Sequence, residues 1–164
     1  MAHKLKVVMA SDHVGYHMKR ELKQFMEELG HNVDDIGAAE AARAEYPTYG
    51  RMAADAVALG KYDIAVLVCG TGFGISLAAN SVAGVRCVNC TDAYTTRMSR
   101  LHNNANAIAF GARVIAPEYA KELLYIWLTT EFEGGRHATR VDMLCSMSNV
   151  PQAGEYSVQP EGKS

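Results

Sequence analysis

"YDIAVLVCGTGFGISLAAN", Tyr62 to Asn80, is an almost unbroken apolar run that meets a cysteine and three alternating glycines before a second apolar stretch begins. So little polar alternation marks a strand buried on both faces, the kind found in the middle of a parallel sheet. Gly70, Gly72 and Gly74 then punctuate a tight strand-to-helix turn, and the helix reads from about Gly74 to Ser81. Parallel neighbours cannot be joined by a hairpin, so helices must lie on either side of this strand in the chain.

The pattern repeats outward in both directions. Upstream, "KLKVVMA" is a short strand, and "SDH" offers a cap before "VGYHMKRELKQFMEELG", where Val14, Met18, Leu22, Phe25, Met26 and Leu29 recur at helical steps and Gly30 ends the helix. "HNVDDIG" is a weak strand, and Pro47 starts the helix "TYGRMAADAVALG", closed by Gly60. Downstream come strand "GVRCVNC", helix "TDAYTTRMSRLH", strand "NAIAFGA", helix "APEYAKELLYIWLTTEF" and a last helix "RHATRVDMLCSM". This alternation predicts a three-layer α/β/α sandwich around a five-stranded, mostly parallel Rossmann-like sheet with right-handed crossovers. The length of 164 residues fits a single domain over 1–148. Residues 149–164, where Pro, Gly, Gln and charge replace periodicity, read as a flexible tail.

Hydrophobic residues at 49% and charged residues at 21% give the balance of an ordinary soluble domain. A net charge of -2 argues against a general polyanion binder, so no nucleic-acid partner is expected and any phosphate must be held by a local cluster. No apolar run reaches membrane-spanning length and no signal-type core precedes the first strand, so the expected location is the cytoplasm, with no membrane partner. Cys69, Cys87, Cys90 and Cys145 are expected as free thiols.

Ligands of open parallel sheets bind where strand carboxyl ends meet helix N-termini. That rule collects Asp12 and His13, Cys69 to Gly74, Thr91 and Asp92, and Gly111 to Arg113 on one edge. In "CGTGFG" the glycines free the backbone amides of Gly70, Gly72 and Gly74 to converge on an oxyanion or phosphate, and Thr71 adds a hydroxyl. The spacing is GxGxG rather than the GxGxxG of dinucleotide folds, although Asp92 lies about where that fingerprint places its ribose-binding acid. Cys69, beside the amides and near a helix start, sits where a thiolate is favoured and can act as base or nucleophile. Cys87 and Cys145 read instead as buried, inert residues. Cys87 and Cys90 form a CxxC, but residues three apart in a strand face opposite ways and no further ligands complete a zinc set. "GGRHATR" puts Arg136 and Arg140 on one helical face with His137 beside them, either a phosphate clamp or a solvated basic turn. His102 and Asn103 stand just before the last strand and Arg113 just after it.

"SDHVGYHMKREL", "EYPTYG", "VCGTGFGISLAANSVAGVRC", "RLHNNANAIAFGARV" and "EFEGGRHATRVDML" together resemble the B-type ribose-5-phosphate isomerases, the family that includes the galactose-6-phosphate isomerase subunits; the likeness runs from about Lys4 to Met147. The resemblance implies interconversion of D-ribose 5-phosphate and D-ribulose 5-phosphate in the pentose phosphate pathway, through an enediolate and without metal or organic cofactor. It assigns Cys69 as the base between C2 and C1, Thr71 with the amides of Gly70 to Gly74 as the enediolate hole, and His102 as the ring-opening group. Asp12, Tyr46 and Asn103 line the sugar, and His13, Arg113, Arg136, His137 and Arg140 hold phosphate. It further implies a homodimer with sites at the subunit interface.

Where some relatives use a glutamate base this chain has Ile75, which places it in the cysteine-base branch. Glu45 and Asn104 stand where aspartates are frequent, and Phe73 is bulkier than the usual aliphatic residue. These positions touch the sugar pocket and leave open a six-carbon substrate such as D-allose 6-phosphate. A binder of sugar phosphate or nucleotide without chemistry is the alternative outside enzymes, opposed by the joint presence of Cys69, Thr71 and His102.

Overall fold

The structure, a computed structural model, describes residues 4–39 and 43–147, so the tail expected at 149–164 lies outside the described residues. The apolar run becomes strand β3, Ile64–Cys69, buried at every position. Beside it lie β1, Lys6–Ser11, and β5, Ala107–Gly111; β2, Asn32–Asp35, and β4, Cys87–Asn89, form the edges. The order is β2-β1-β3-β5-β4 and every pairing is parallel, in registers such as Ala10↔Leu67 and Val68↔Phe110. The helices are α1, Tyr16–Glu28; α2, Tyr46–Ala58; α3, Phe73–Asn80; α4, Ala93–Leu101; α5, Pro117–Thr129; and α6, Arg136–Ser146. Among the described residues no helix is long and apolar enough to cross a membrane.

Alternation along β3 builds both cores. Ile64, Val66 and Val68 pack with Met18, Leu22 and Met26 of α1 and with Leu123, Leu124 and Trp127 of α5. Ala65, Leu67 and Cys69 face Ala53, Ala54 and Val57 of α2 and Ile75 and Ala79 of α3. The first face is filled by large side chains, each contributing about 2 kcal/mol on burial. The second is rich in alanine, which lets its helices come close: a Cβ on Gly50 would lie 2.8 Å from the Ile75 carbonyl oxygen. Helix α2 is thereby seated on α3, and its first residue, Tyr46, reaches the glycine turn.

Several boundaries differ from the sequence reading for local reasons. Strand β4 is only three residues long, because the Arg86 N–H is bonded to the Asn106 side chain (2.8 Å) instead of extending the ladder. Asp12 accepts from the Gly15 N–H at 2.9 Å, so it closes the turn before α1; the N-cap itself is Gly15, without a side-chain bond. Asp92 is the N-cap of α4, accepting from Thr95 N–H at 2.8 Å, and that bond occupies the acid the dinucleotide fingerprint would have used for ribose. Thr130 is extended, which ends α5 at Thr129.

Since all strands run one way, helices returning from them start at the carboxyl edge of the sheet and finish at the amino edge. Helix α6 breaks that rule and runs across the amino edge. Its first turn lies against the end of α4, where the His137 ring stacks on that of His102. Its last turn reaches the start of β4, with Cys145 Sγ 3.6 Å from Arg86 Nη1.

Candidate active site

Cys69 is the last residue of β3 and buried, and its sulfur receives the Gly72 N–H at 3.2 Å. That contact exists because Gly72 is left-handed (φ 80°), a conformation glycine adopts without penalty. A side chain there would also strike Asn89 Oδ1. Asn89, at the end of β4, donates from Nδ2 to the Thr71 carbonyl (3.2 Å) and so props the turn from beneath. Gly74 opens α3 under the Tyr46 ring, where an added Cβ would lie 2.6 Å from Tyr46 Cε2. The first-turn amides of α3 have no carbonyl behind them and point out of the turn, as at every helix start. Thr71 is exposed, its hydroxyl 3.4 Å from the Phe73 N–H.

The remaining carboxyl-edge residues surround this turn. Arg113 follows β5; its N–H donates to the Gly70 carbonyl at 3.0 Å, and its guanidinium passes close over Gly70. Asp12 is buried beside β3, its N–H bonded to the Val68 carbonyl at 3.2 Å. His13 Nδ1 lies 3.4 Å from the backbone of Ala44, two residues before Tyr46. Ile75 is fully buried in the α2–α3 core and offers no polar group. The sheet therefore gathers Asp12, His13, Tyr46, Cys69, Gly70 to Gly74 and Arg113 on one edge.

His102, Asn103, Arg136, His137 and Arg140 are elsewhere. His102 is the C-cap of α4, at the amino edge. Six residues of strand lie between the two edges, roughly 20 Å at about 3.3 Å per residue. The His102 and His137 rings are stacked, with centroids 4.1 Å apart and planes within 9°. Each Nε2 is 3.7 Å from one oxygen of Glu133, and the Glu133 N–H donates to the Leu101 carbonyl at 3.0 Å. Arg136 Nε donates to His137 Nε2 at 3.4 Å. Burial pushes the His137 imidazole below its usual range, helped by His102 and the arginines and opposed by Glu133. His137 is buried while Arg136 and Arg140 are exposed. Arg86 fixes the segment after His102 by donating to the carbonyls of Asn103 and Asn104, and ties it to the Gly84 carbonyl before β4.

His102, Glu133 and His137 are the His/Cys/Asp/Glu cluster with metal-ligand spacing among the described residues. Parallel stacked rings hold their lone pairs in separate planes, so one ion cannot bond both imidazoles at the 2.0–2.1 Å a zinc site needs in this arrangement. The cysteines behave largely as their setting dictates. All four are free, and Cys87 and Cys90 face opposite cores, each pushed upward by burial. Cys145 is exposed, contrary to expectation, because α6 buries only the stripe of His137 and Val141.

Asn89, Glu133 and Arg86 escaped sequence reasoning. Asn89 had a signal, a lone amide in an otherwise apolar strand. Glu133 stands four before His137 but outside the helix, where periodicity says nothing.

A thiol at a central strand end, an amide turn around it, and cationic and imidazole groups apart from it are the reactive groups of a doubly wound α/β protein. The family described as Ribose/Galactose Isomerase matches residues 7–144. Ribose-5-phosphate isomerase B of Escherichia coli (strain K12) is 43% identical over 142 residues, covering 87% of this chain and 95% of that protein. D-erythrulose-4-phosphate isomerase of Pectobacterium atrosepticum is 36% identical over 141 residues, covering 85% and 93%. The solved structure of ribose-5-phosphate isomerase B from Clostridium thermocellum superposes with a TM-score of 0.85 at 44% identity, covering 87% of this chain and 96% of that one. This chain belongs to the ribose/galactose isomerase family, in its ribose-5-phosphate isomerase B group.

Proposed function

We propose that this protein is a cofactor-independent aldose-ketose isomerase that interconverts D-ribose 5-phosphate and D-ribulose 5-phosphate, with Cys69 as the base. The observation that carries this reading is the Cys69 sulfur at the end of β3 with the Gly72 amide directed onto it. A negative charge on sulfur has a donor there, and the first-turn amides of α3 are the donors for the oxygen of an enediolate. Moving a proton between C2 and C1 needs one positioned base and donors where charge develops; each such donor is worth about 3 kcal/mol.

His102 opens the furanose. Breaking the C1–O4 bond removes a proton from the anomeric hydroxyl and supplies one to O4, so an imidazole that takes the first and returns the second leaves no net charge. Asp12, Tyr46 and Asn103 line the sugar, and His13, Arg113, Arg136, His137 and Arg140 bind phosphate. The reading includes a homodimer, supported by the separation of the two groups: residues roughly 20 Å apart in one chain share a small substrate only if the amino edge of a second copy meets the carboxyl edge of the first. Four free thiols fit a reducing compartment, and we place the enzyme in the cytoplasm.

One experiment tests chemistry and assembly together. Cys69→Ala homodimers are expected to be inactive with ribose 5-phosphate, and His102→Gln homodimers to keep only the slow rate set by uncatalysed ring opening. After subunit exchange, half of the dimers are mixed and each has one of two sites intact, so about a quarter of wild-type activity returns. Activity in Cys69→Ala alone overturns the base; no recovery on mixing overturns the shared site. Running the wild type beside four- and six-carbon aldose phosphates fixes the chain-length preference.

A further inference from the structure

We propose that Glu133 is a positioning residue of the sugar site, the charge partner through which His102 works. The inference rests on the ring-opening role given to His102 above, but its geometry stands apart from it. One carboxylate oxygen faces both Nε2 atoms at 3.7 Å, and the Glu133 N–H is tied to the Leu101 carbonyl, directly before His102. The Glu133 backbone is therefore fixed to the same helix end as the imidazole its carboxylate faces.

The two imidazoles are not equivalent. His137 Nε2 accepts from Arg136, which leaves the neutral ring its proton on Nδ1, and the ring is buried against His102. His137 is thus a flat, neutral wall that holds the His102 ring in one plane. His102 is partly exposed and free to exchange protons with a ligand. When it takes the anomeric proton, the imidazolium has the His137 ring on one face, and Glu133 is the anion placed against it. The opened sugar then regains the proton at O4 and His102 returns to neutral, so Glu133 gains and loses none.

The test is a double-mutant cycle on the full-length protein with ribose 5-phosphate. Glu133→Gln is expected to lose on the order of tenfold in kcat with KM little changed, and Glu133→Asp to recover part of it. The Glu133→Gln/His102→Gln double variant should be no slower than His102→Gln alone, and thermal stability should hardly move. Wild-type kcat in Glu133→Gln, or losses that multiply in the double variant, overturns the inference. Histidine titration by NMR separates it from the reading it rests on: in Glu133→Gln the His137 signal should titrate at lower pH, whether or not His102 opens the ring. A His137 titration unchanged by that substitution also overturns it.

Discussion

Gly72→Ala tests whether the turn after β3 is a built device or a passive connection. The native φ of 80° costs an alanine about 1–2 kcal/mol. The new methyl also occupies the place of Asn89 Oδ1, so Asn89 must withdraw and its bond to the Thr71 carbonyl is lost, for about 1 kcal/mol more. Together these predict a loss of roughly 2–3 kcal/mol, a fall in Tm of about 5–10 °C for a domain of this size. Activity should suffer more, because the Gly72 amide is the donor on the Cys69 sulfur. Losing one such donor is worth about 100-fold in kcat. Urea unfolding gives the first quantity, initial rates with ribose 5-phosphate the second, and the pH dependence of Cys69 alkylation reports the sulfur directly. Since both changes act on the same bond, Gly72→Ala/Asn89→Ala should be no less stable than Gly72→Ala. Stability within about 0.5 kcal/mol of wild type and an unaltered kcat would refute the reasoning, as would strict additivity in the pair.

Gly50→Ala places a methyl 2.8 Å from the Ile75 carbonyl oxygen; prising α2 from α3 should cost about 1–3 kcal/mol in denaturant unfolding and raise KM, because Tyr46 rides on α2. Stability should also depend on pH in mildly acid solution. Burial lowers the imidazoles of His31 and His137 in the folded chain, so the unfolded chain binds more protons below the ordinary histidine value near 6.5. Folding free energy is then lost as pH falls from about 6.5 toward the lower folded values, and His137→Gln should flatten that slope in unfolding measured across pH 5–8.

The fold could be read from the chain because each element carries its own signal. The buried run of β3, the 3.6-residue recurrence of Met18, Leu22 and Met26 in α1, and the glycines closing helices act locally, and the sheet has few ways to combine them. Half of the site was legible for the same reason: residues after strand ends such as Cys69 and Arg113 are placed by topology. The other half depends on helix direction and on the unusual course of α6, which no periodicity encodes. His137 shows the limit. Nothing in its sequence neighbourhood announces that its ring is buried against that of His102, 35 positions earlier. Cys145 was misjudged because an apolar segment, "VDMLCSM", is mostly exposed in this chain. Asn89 and Glu133 act through one contact each, and such contacts exist only after the chain has folded.

The six-residue span of β3, which separates the two sheet edges, has a consequence for how the enzyme responds to its own abundance. In the homodimer proposed above, a pocket with halves from two polypeptides would form by a second-order encounter, so turnover per chain would fall once dilution splits the pairs. Saturating sugar phosphate, which bridges the halves, should shift that balance back toward the assembled form. Substrate supply and protein concentration would then be read by the same equilibrium.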